Sequence, residues 1–215
     1  RAEQNKLWLG LARETAHQIG TPLSSLIAWT DILETTNVDK NVIQEIQKDL
    51  DRLKTITERF SIIGSAPKLV KQNVIDIINN AINYLKPRTS SKINYIVINN
   101  SLTEPIVPLN NILFEWVIEN LCKNAIDAMG GEGNITINIS DDTDHIHIDI
   151  SDTGKGIPKS LWKTIFEPGY TTKKRGWGLG LSLSDRIINT YHKGKIYVKN
   201  STINKGTVFR IILQK

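Results

Sequence analysis

The sequence predicts an α+β protein: an N-terminal antiparallel helical hairpin, residues 1–64, a short linker, 65–68, and an α/β sandwich, 69–215. Three observations predict it. Apolar residues with heptad spacing run through the first part in two seams, a Gly-Ser-Ala-Pro break ends them, and beyond the break helical patterns alternate with short runs of period-two apolar residues.

The first seam is Leu9, Ala12, Ala16, Ile19, Leu23, Leu26, Thr30 and Leu33, spaced 3-4-3-4-3-4-3 along one long helix over 5–36. A polar turn, Thr-Thr-Asn-Val-Asp-Lys-Asn, separates it from the second seam of Ile43, Ile46, Leu50, Leu53, Thr57 and Phe60. Two such helices joined by a short turn form an antiparallel hairpin. A lone hairpin buries little, so a second copy is expected to complete a four-helix bundle as a homodimer. His17 lies one residue past Ala16, off the seam and toward solvent. Pro22 interrupts the helical pattern one turn later and leaves the Gln18 carbonyl without its usual donor. Thr21, four residues after His17, shares the face of the imidazole and is placed to hold a water or a phosphoryl oxygen near the ring.

After Gly64–Pro67 the pattern gives a short strand over 68–72, a helix over 73–85, a strand over 93–98 and a brief apolar stretch at Ile106 and Val107. A helix over 110–129 follows, then strands over 134–139 and 145–150, a helix over 178–191, and strands over 195–199 and 206–213. This is an antiparallel or mixed sheet with helices on one face. In the 110–129 helix, Leu113, Val117, Leu121 and Ala125, with Trp116 and Ile118, supply the core face. Asn120, Asn124 and Asp127 recur as a polar stripe with Lys123 beside it. Asparagine and aspartate are weak helix formers, so an exposed mid-helix stripe made of them is a poor structural choice. Their oxygens suit Mg²⁺ held against nucleotide phosphates, and Lys123 adds a charge there.

Residues 148–183 carry the second concentration of chemistry. Asp152, at a strand end, is a natural acceptor for an exocyclic amine. The two glycine clusters, Gly154 with Gly156 and Gly176 with Gly178 and Gly180, flank a basic Thr-Thr-Lys-Lys-Arg loop. Glycine lets backbone N–H groups approach phosphate oxygens, and a helix starting near Gly178 aims free N–H groups at the same anion. Neither cluster matches the dinucleotide or phosphate-loop spacing, which disfavours those folds.

The totals bound the alternatives. The chain has 215 residues, 40% hydrophobic and 23% charged, with no apolar run long enough for a membrane span and no signal-peptide pattern. A single Cys122, set among apolar residues, rules out an internal disulfide framework and fits a reducing compartment. The +5 net charge is uneven: residues 1–64 carry 8 Lys and Arg against 9 Asp and Glu, and the remainder 19 against 13. The basic excess therefore accompanies the glycine clusters. Lys and Arg are dispersed without interleaved aromatics, so no nucleic-acid partner is expected.

Together these motifs resemble a known family. Ala-His-Gln-Ile-Gly-Thr-Pro-Leu-Ser-Ser-Leu resembles the phosphoacceptor box of sensor histidine kinases, and Glu-Asn-Leu-Cys-Lys-Asn-Ala-Ile-Asp-Ala-Met their asparagine box. Asp-Thr-Gly-Lys-Gly-Ile-Pro and Gly-Trp-Gly-Leu-Gly-Leu-Ser-Leu are similar to their two glycine boxes. The order is the family's own and covers nearly the whole chain. The resemblance implies a dimerisation and phosphotransfer hairpin followed by a Bergerat-type ATP-binding domain. It implies His17 as phosphoacceptor, Asn124 as Mg²⁺ ligand with Asn120 close to the metal and phosphates, and Lys123 near the phosphates. Asp127 is counted with this group. Asp152 would receive the adenine amino group, with Gly154 and Gly156 admitting the base and Ile157 beside it. Phe166 would anchor a lid over 169–177 that brings Thr171, Thr172 and Lys173 to the nucleotide, with Gly178, Leu179, Gly180 and Leu181 at the phosphates.

The implied activity is ATP-dependent autophosphorylation of His17 and transfer to an aspartate of a response regulator receiver domain docked on the hairpin. Thr21 matches the position that serves regulator phosphatase activity in the family. One departure is Gln18, where the family usually has Glu or Asp. A neutral amide orients an imidazole but does not accept its proton. The alternatives are a Bergerat-fold ATPase of another class and a degenerate nucleotide-binding dimerisation module. A cytoplasmic location is expected, with membrane attachment confined to a sensor region outside a chain that opens at Arg1 within a helical pattern.

Overall fold

The computed structural model describes residues 19, 23–33, 35, 39–63, 67–173 and 178–215. Contacts within the chain divide it into two units, Arg1–Pro67 and Lys68–Lys215. No helix among the described residues is long and apolar enough to cross a membrane.

In the first unit residues 23–33 form a helix, α1, and Lys40–Ile63 a second, α2. Asp39 starts α2 by accepting the Asn41 N–H at 2.9 Å. The heptad pattern divides into two stripes. Leu23, Thr30, Ile43 and Leu50, set seven residues apart on each helix, are buried. The intervening seam residues Leu26, Ile46 and Leu53 stay 50%, 39% and 43% exposed. Ile27, Thr30 and Asp31 of α1 and Gln47, Leu50 and Asp51 of α2 line one cleft. Two helices alone cover only one flank of each apolar stripe, and the other flank is left open.

The second unit starts with β1 (Val70–Asn73), whose last residue caps α3 (Val74–Leu85): Asn73 Oδ1 accepts the Ile75 N–H at 2.9 Å. β2 (Ile93–Asn99) and β3 (Ile106–Leu109) precede α4 (Asn111–Ala128), which Asn110 caps by accepting the Leu113 N–H at 3.1 Å. Then come β4 (Gly133–Asp141), β5 (His145–Asp152), α5 (Gly180–Arg186), β6 (Lys195–Thr202) and β7 (Gly206–Gln214). A wider helical turn, Ile187–Tyr191, extends α5. β1 and β3 form an antiparallel ribbon, and the main sheet runs β2-β4-β5-β7-β6 with only β2 and β4 parallel. The sheet is therefore mixed, and the unit is an α+β sandwich.

Period-two alternation places the core. Ile135, Ile137 and Ile139 of β4, Ile146, Ile148 and Ile150 of β5, and Phe209, Ile211 and Leu213 of β7 are buried on the helix-covered face. The other face carries Thr136, Asn138, His147 and a buried carboxylate, Asp149, held by Arg210 at 2.6 and 2.7 Å and by Lys199 at 2.8 Å. α4 buries Leu113, Phe114, Val117, Ile118, Leu121, Cys122 and Ala125. Trp116, expected in this core, is only half-buried because it lies on the flank where the polar stripe runs. Burial pushes the Cys122 thiol up to about 12, so it is packing material with no thiolate at neutral pH.

Candidate nucleotide site

His17, Gln18 and Thr21 lie outside the described residues, so the described chemistry is all in the second unit. Asp152 ends β5 with 9% of its surface exposed. Its Oδ1 accepts the Gly154 N–H at 2.8 Å, and the Thr207 N–H donates to the same carboxyl group. Burial raises its pKa above the ordinary carboxylate range, and those two hydrogen bonds oppose the shift. The site thus offers a desolvated acceptor whose orientation the backbone fixes.

The glycines around it are required by their neighbours. A Cβ on Gly154 would lie 2.7 Å from the Ala128 carbonyl at the end of α4, and one on Gly156, at φ +73, would lie 2.3 Å from the Thr202 oxygen. The segment after Asp152 is thereby pressed between α4 and the β6–β7 turn. Ile157 N–H donates to Ser201 Oγ at 2.7 Å, and the Ile157 carbonyl accepts from Trp162 Nε1 at 3.0 Å. Phe166 packs edge-on against Phe209, ring centres 6.2 Å apart, which ties the start of the next loop to the sheet.

The stripe on α4 faces the other part of the site. The atoms nearest to Gly180 are those of the Asn120 carboxamide, 3.8 Å from where a Cβ would stand. Asn120 Oδ1 faces Gly180, while its Nδ2 is buried and has no hydrogen-bond partner, an unsatisfied donor within the site. Asn124 and Asp127 are met by Lys173: its ammonium lies 2.9 Å from Asn124 Oδ1 and also bonds Asp127 Oδ2. Lys123, expected beside the phosphates, is engaged instead by Glu119, Nζ to Oε2 3.0 Å, a carboxylate with only 4% of its side chain exposed. A buried carboxylate one turn back on the same helix holds the nearest cation.

The sequence pattern starts the last helix near Gly178; in the structure that helix begins at Gly180. Gly178, at φ +65, closes the loop base: its carbonyl accepts the Gly169 N–H at 3.0 Å, and a Cβ would lie 2.4 Å from the Gly169 carbonyl carbon. Leu179 precedes α5 without a capping side chain, so the first N–H groups of α5 have no side-chain acceptor. Leu179 and Leu181 are half-buried, and Thr171 and Thr172 are exposed. Thr171 Oγ1 accepts the Lys173 N–H at 3.1 Å.

The structure also brings in residues that the sequence reading missed. Thr207, 3% exposed, donates its N–H to Asp152 and its hydroxyl meets Ser201 Oγ at 2.9 Å. A Cβ on Gly206 would stand 1.9 Å from the Asp152 carbonyl oxygen. His192, buried behind α4 and α5, accepts the Asn110 N–H at Nε2 (3.0 Å) and donates from Nδ1 to the Ile187 carbonyl (2.9 Å). Burial pushes its pKa down, and a protonated ring would lose the acceptor that Asn110 uses. Between this lowered value and the unfolded value of about 6.5, the unfolded chain binds the extra proton, so stability rises with pH and is lost as pH falls below about 6.5. Urea unfolding across pH 5.5 to 7.5 measures it. The expected slope shrinks in His192→Gln by up to about 1.4 kcal/mol per pH unit, and an unchanged slope would contradict the buried neutral ring.

Residues 110–215 match the family described as histidine kinase-, DNA gyrase B-, and HSP90-like ATPase. Sheet, glycine segments and asparagine stripe define a domain of that ATPase class. Sporulation kinase E of Bacillus subtilis (strain 168) is 32% identical over 212 residues, covering 94% of this chain and 28% of that protein. Sensor histidine kinase ZraS of Salmonella typhi is 32% identical over 210 residues, 94% of this chain and 45% of that protein. The solved catalytic domain of histidine kinase ThkA is 30% identical with a TM-score of 0.62, covering 69% of this chain and 96% of that chain. The chain belongs to the histidine kinases, and its C-terminal unit is a histidine kinase catalytic domain. It spans less than half the length of these two curated relatives. The complex of ThkA with response regulator protein TrrA is 24% identical at a TM-score of 0.63, the comparison covering 100% of this chain and 64% of that one, a likeness of fold.

Proposed function

We propose that this chain is the ATP-dependent autokinase core of a two-component sensor, phosphorylating His17 and passing the phosphoryl group to an aspartate on a response regulator. In this reading residues 1–64 are the dimerisation and phosphotransfer hairpin, 65–68 the linker and 69–215 the ATP-binding domain. The observation that carries it is the α4 stripe. It combines a buried donor without a hydrogen-bond partner, Asn120 Nδ2, with oxygens of Asn124 and Asp127 that already attract the Lys173 ammonium. An anion-binding donor beside a cation-binding oxygen set fits a metal-bound polyphosphate.

Asp152 accepts the adenine amino group, with Ile157 and Thr207 beside it. Asn124, with Asn120 next to it, would hold Mg²⁺, which would supply charge neutralisation at the phosphates. Asn120 Nδ2 donates to a phosphate oxygen, and the uncapped start of α5 with Gly180 and Leu181 meets the same group. In the transfer step an imidazole nitrogen of His17 forms the N–P bond as the β–γ bridging P–O bond breaks, ADP leaves, and the ring N–H proton passes to solvent. Positioning and charge supply most of the rate in such transfers. Gln18 fixes the ring without taking the proton. Attack requires the neutral imidazole, whose unprotonated ring nitrogen carries the lone pair.

The exposed seam residues Leu26, Ile46 and Leu53 support a homodimer through the hairpin, whose second copy covers them. The regulator receiver domain docks near His17, and Thr21 orients the water for regulator dephosphorylation. This reading is tested by calorimetric titration with AMPPNP. One nucleotide is expected per chain, with affinity rising when Mg²⁺ is added; absence of binding under both conditions would remove the reading.

A further inference from the structure

We propose that Lys173 is a displaceable latch. Its ammonium occupies the oxygens of Asn124 and Asp127 when no nucleotide is bound and moves to the phosphates when one arrives, and Asp127 is the positioning residue that sets how firmly it is held. The proposal rests on the reading of Asn124 as metal ligand and Lys173 as a phosphate contact.

The geometry points to it in three ways. Lys173 reaches α4 from a separate segment, 46 residues from Asp127 in sequence, and meets two oxygens one helical turn apart. The Thr171 hydroxyl holds the Lys173 N–H at 3.1 Å and the Gly169 N–H closes on Gly178 at 3.0 Å, so the turn that delivers the lysine is built on its own hydrogen bonds. Lys123 is taken by the buried Glu119, which leaves Lys173 as the cation on the stripe among the described residues.

Charge makes the two occupancies exclusive. A divalent ion on Asn124 Oδ1 and an ammonium on the same oxygen would stand within a few ångströms of each other, and the repulsion ejects the monovalent group. The Lys173 and Asp127 side chains are 43% and 55% exposed, and ion pairs this open are weak. A weak pair can be released when metal and phosphate enter. Once released, the tethered ammonium is close to the nucleotide and needs no further recruitment. Asp127 therefore acts against nucleotide binding by holding the lysine, although it stands one turn from Asn124, which would hold the metal.

The experiment measures AMPPNP affinity in EDTA and in Mg²⁺ for wild type, Asp127→Asn, Lys173→Met and the double variant. In EDTA, Asp127→Asn is expected to tighten AMPPNP binding several-fold by freeing Lys173, and the gain is expected to vanish in the Lys173→Met background. A gain that persists there reflects relief of repulsion between Asp127 and phosphate and overturns the latch. So does an unchanged EDTA affinity with weakening only in Mg²⁺, which would make Asp127 a metal ligand. A second readout needs no nucleotide: the NMR signal of the Lys173 side chain, assigned by its loss in Lys173→Met, is expected to shift toward that of free lysine in Asp127→Asn. No shift overturns the latch. Wild-type failure to bind AMPPNP with or without Mg²⁺ instead defeats the nucleotide reading, while the NMR result still decides the contact.

Discussion

Asp152→Asn is expected to lower AMPPNP affinity by about two orders of magnitude while leaving the domain folded. The carboxylate accepts two backbone N–H groups, from Gly154 and Thr207, inside a site that leaves it 9% exposed. An amide of the same shape keeps its oxygen on those donors and turns its NH₂ toward the adenine amine. One donor then faces another in a desolvated pocket, which costs about 1–3 kcal/mol, and the charge-assisted bond to the adenine amine, worth about 1.5–3 kcal/mol, is lost as well. The sum is a loss of about 100-fold or more. Calorimetry measures it, and a circular dichroism melt within a few degrees of wild type shows that the loss is local. An affinity within a factor of three of wild type would mean that Asp152 does not touch the base.

His17→Ala is expected to remove phosphoryl incorporation entirely while AMPPNP affinity stays at the wild-type value. The imidazole is the nucleophile in the proposed step, and alanine offers no atom to form the N–P bond, so the loss is of chemistry and not of binding. The pair of variants separates the two units of function: Asp152→Asn loses binding and, with it, transfer, and His17→Ala loses transfer alone. Label that survives in His17→Ala would place the acceptor elsewhere on the chain.

Elements with a local cause were legible in the sequence. α4 is framed by the Asn110 cap and an apolar stripe of helical period, β4, β5 and β7 by strict alternation, and α3 by Asn73. Asp152 and the asparagine stripe were legible because residues with poor helix propensity or an isolated strand-end charge have few structural uses. What was not legible depends on distant chain. Gly154 and Gly156 are glycine because Ala128 and Thr202 approach them, and Gly178 because Gly169 does. Composition shows only that such residues permit a turn. Gly206, Thr207 and His192 act on partners such as Asp152 and Asn110, and no short-range pattern marks them. The Lys123–Glu119 pair has a signal in the sequence: Glu119 stands four residues before Lys123, the spacing of a helical ion pair. The seam was legible as a seam, but which of its stripes is covered within one chain depends on how the helices pack, and Leu26 and Leu53 lie on the open one.

The most direct measurement is the chemistry of the bond formed when the wild-type chain is incubated with Mg²⁺ and γ-labelled ATP. A phosphorylated imidazole carries an N–P bond that acid hydrolyses and base does not, whereas a phosphoserine survives acid and an acyl phosphate is lost in base. The account predicts label that is acid-labile and base-stable, confined to the peptide containing His17. AMPPNP binding without any label would point to a nucleotide-binding module or to a kinase that needs its input, and acid-stable label would contradict a histidine acceptor outright.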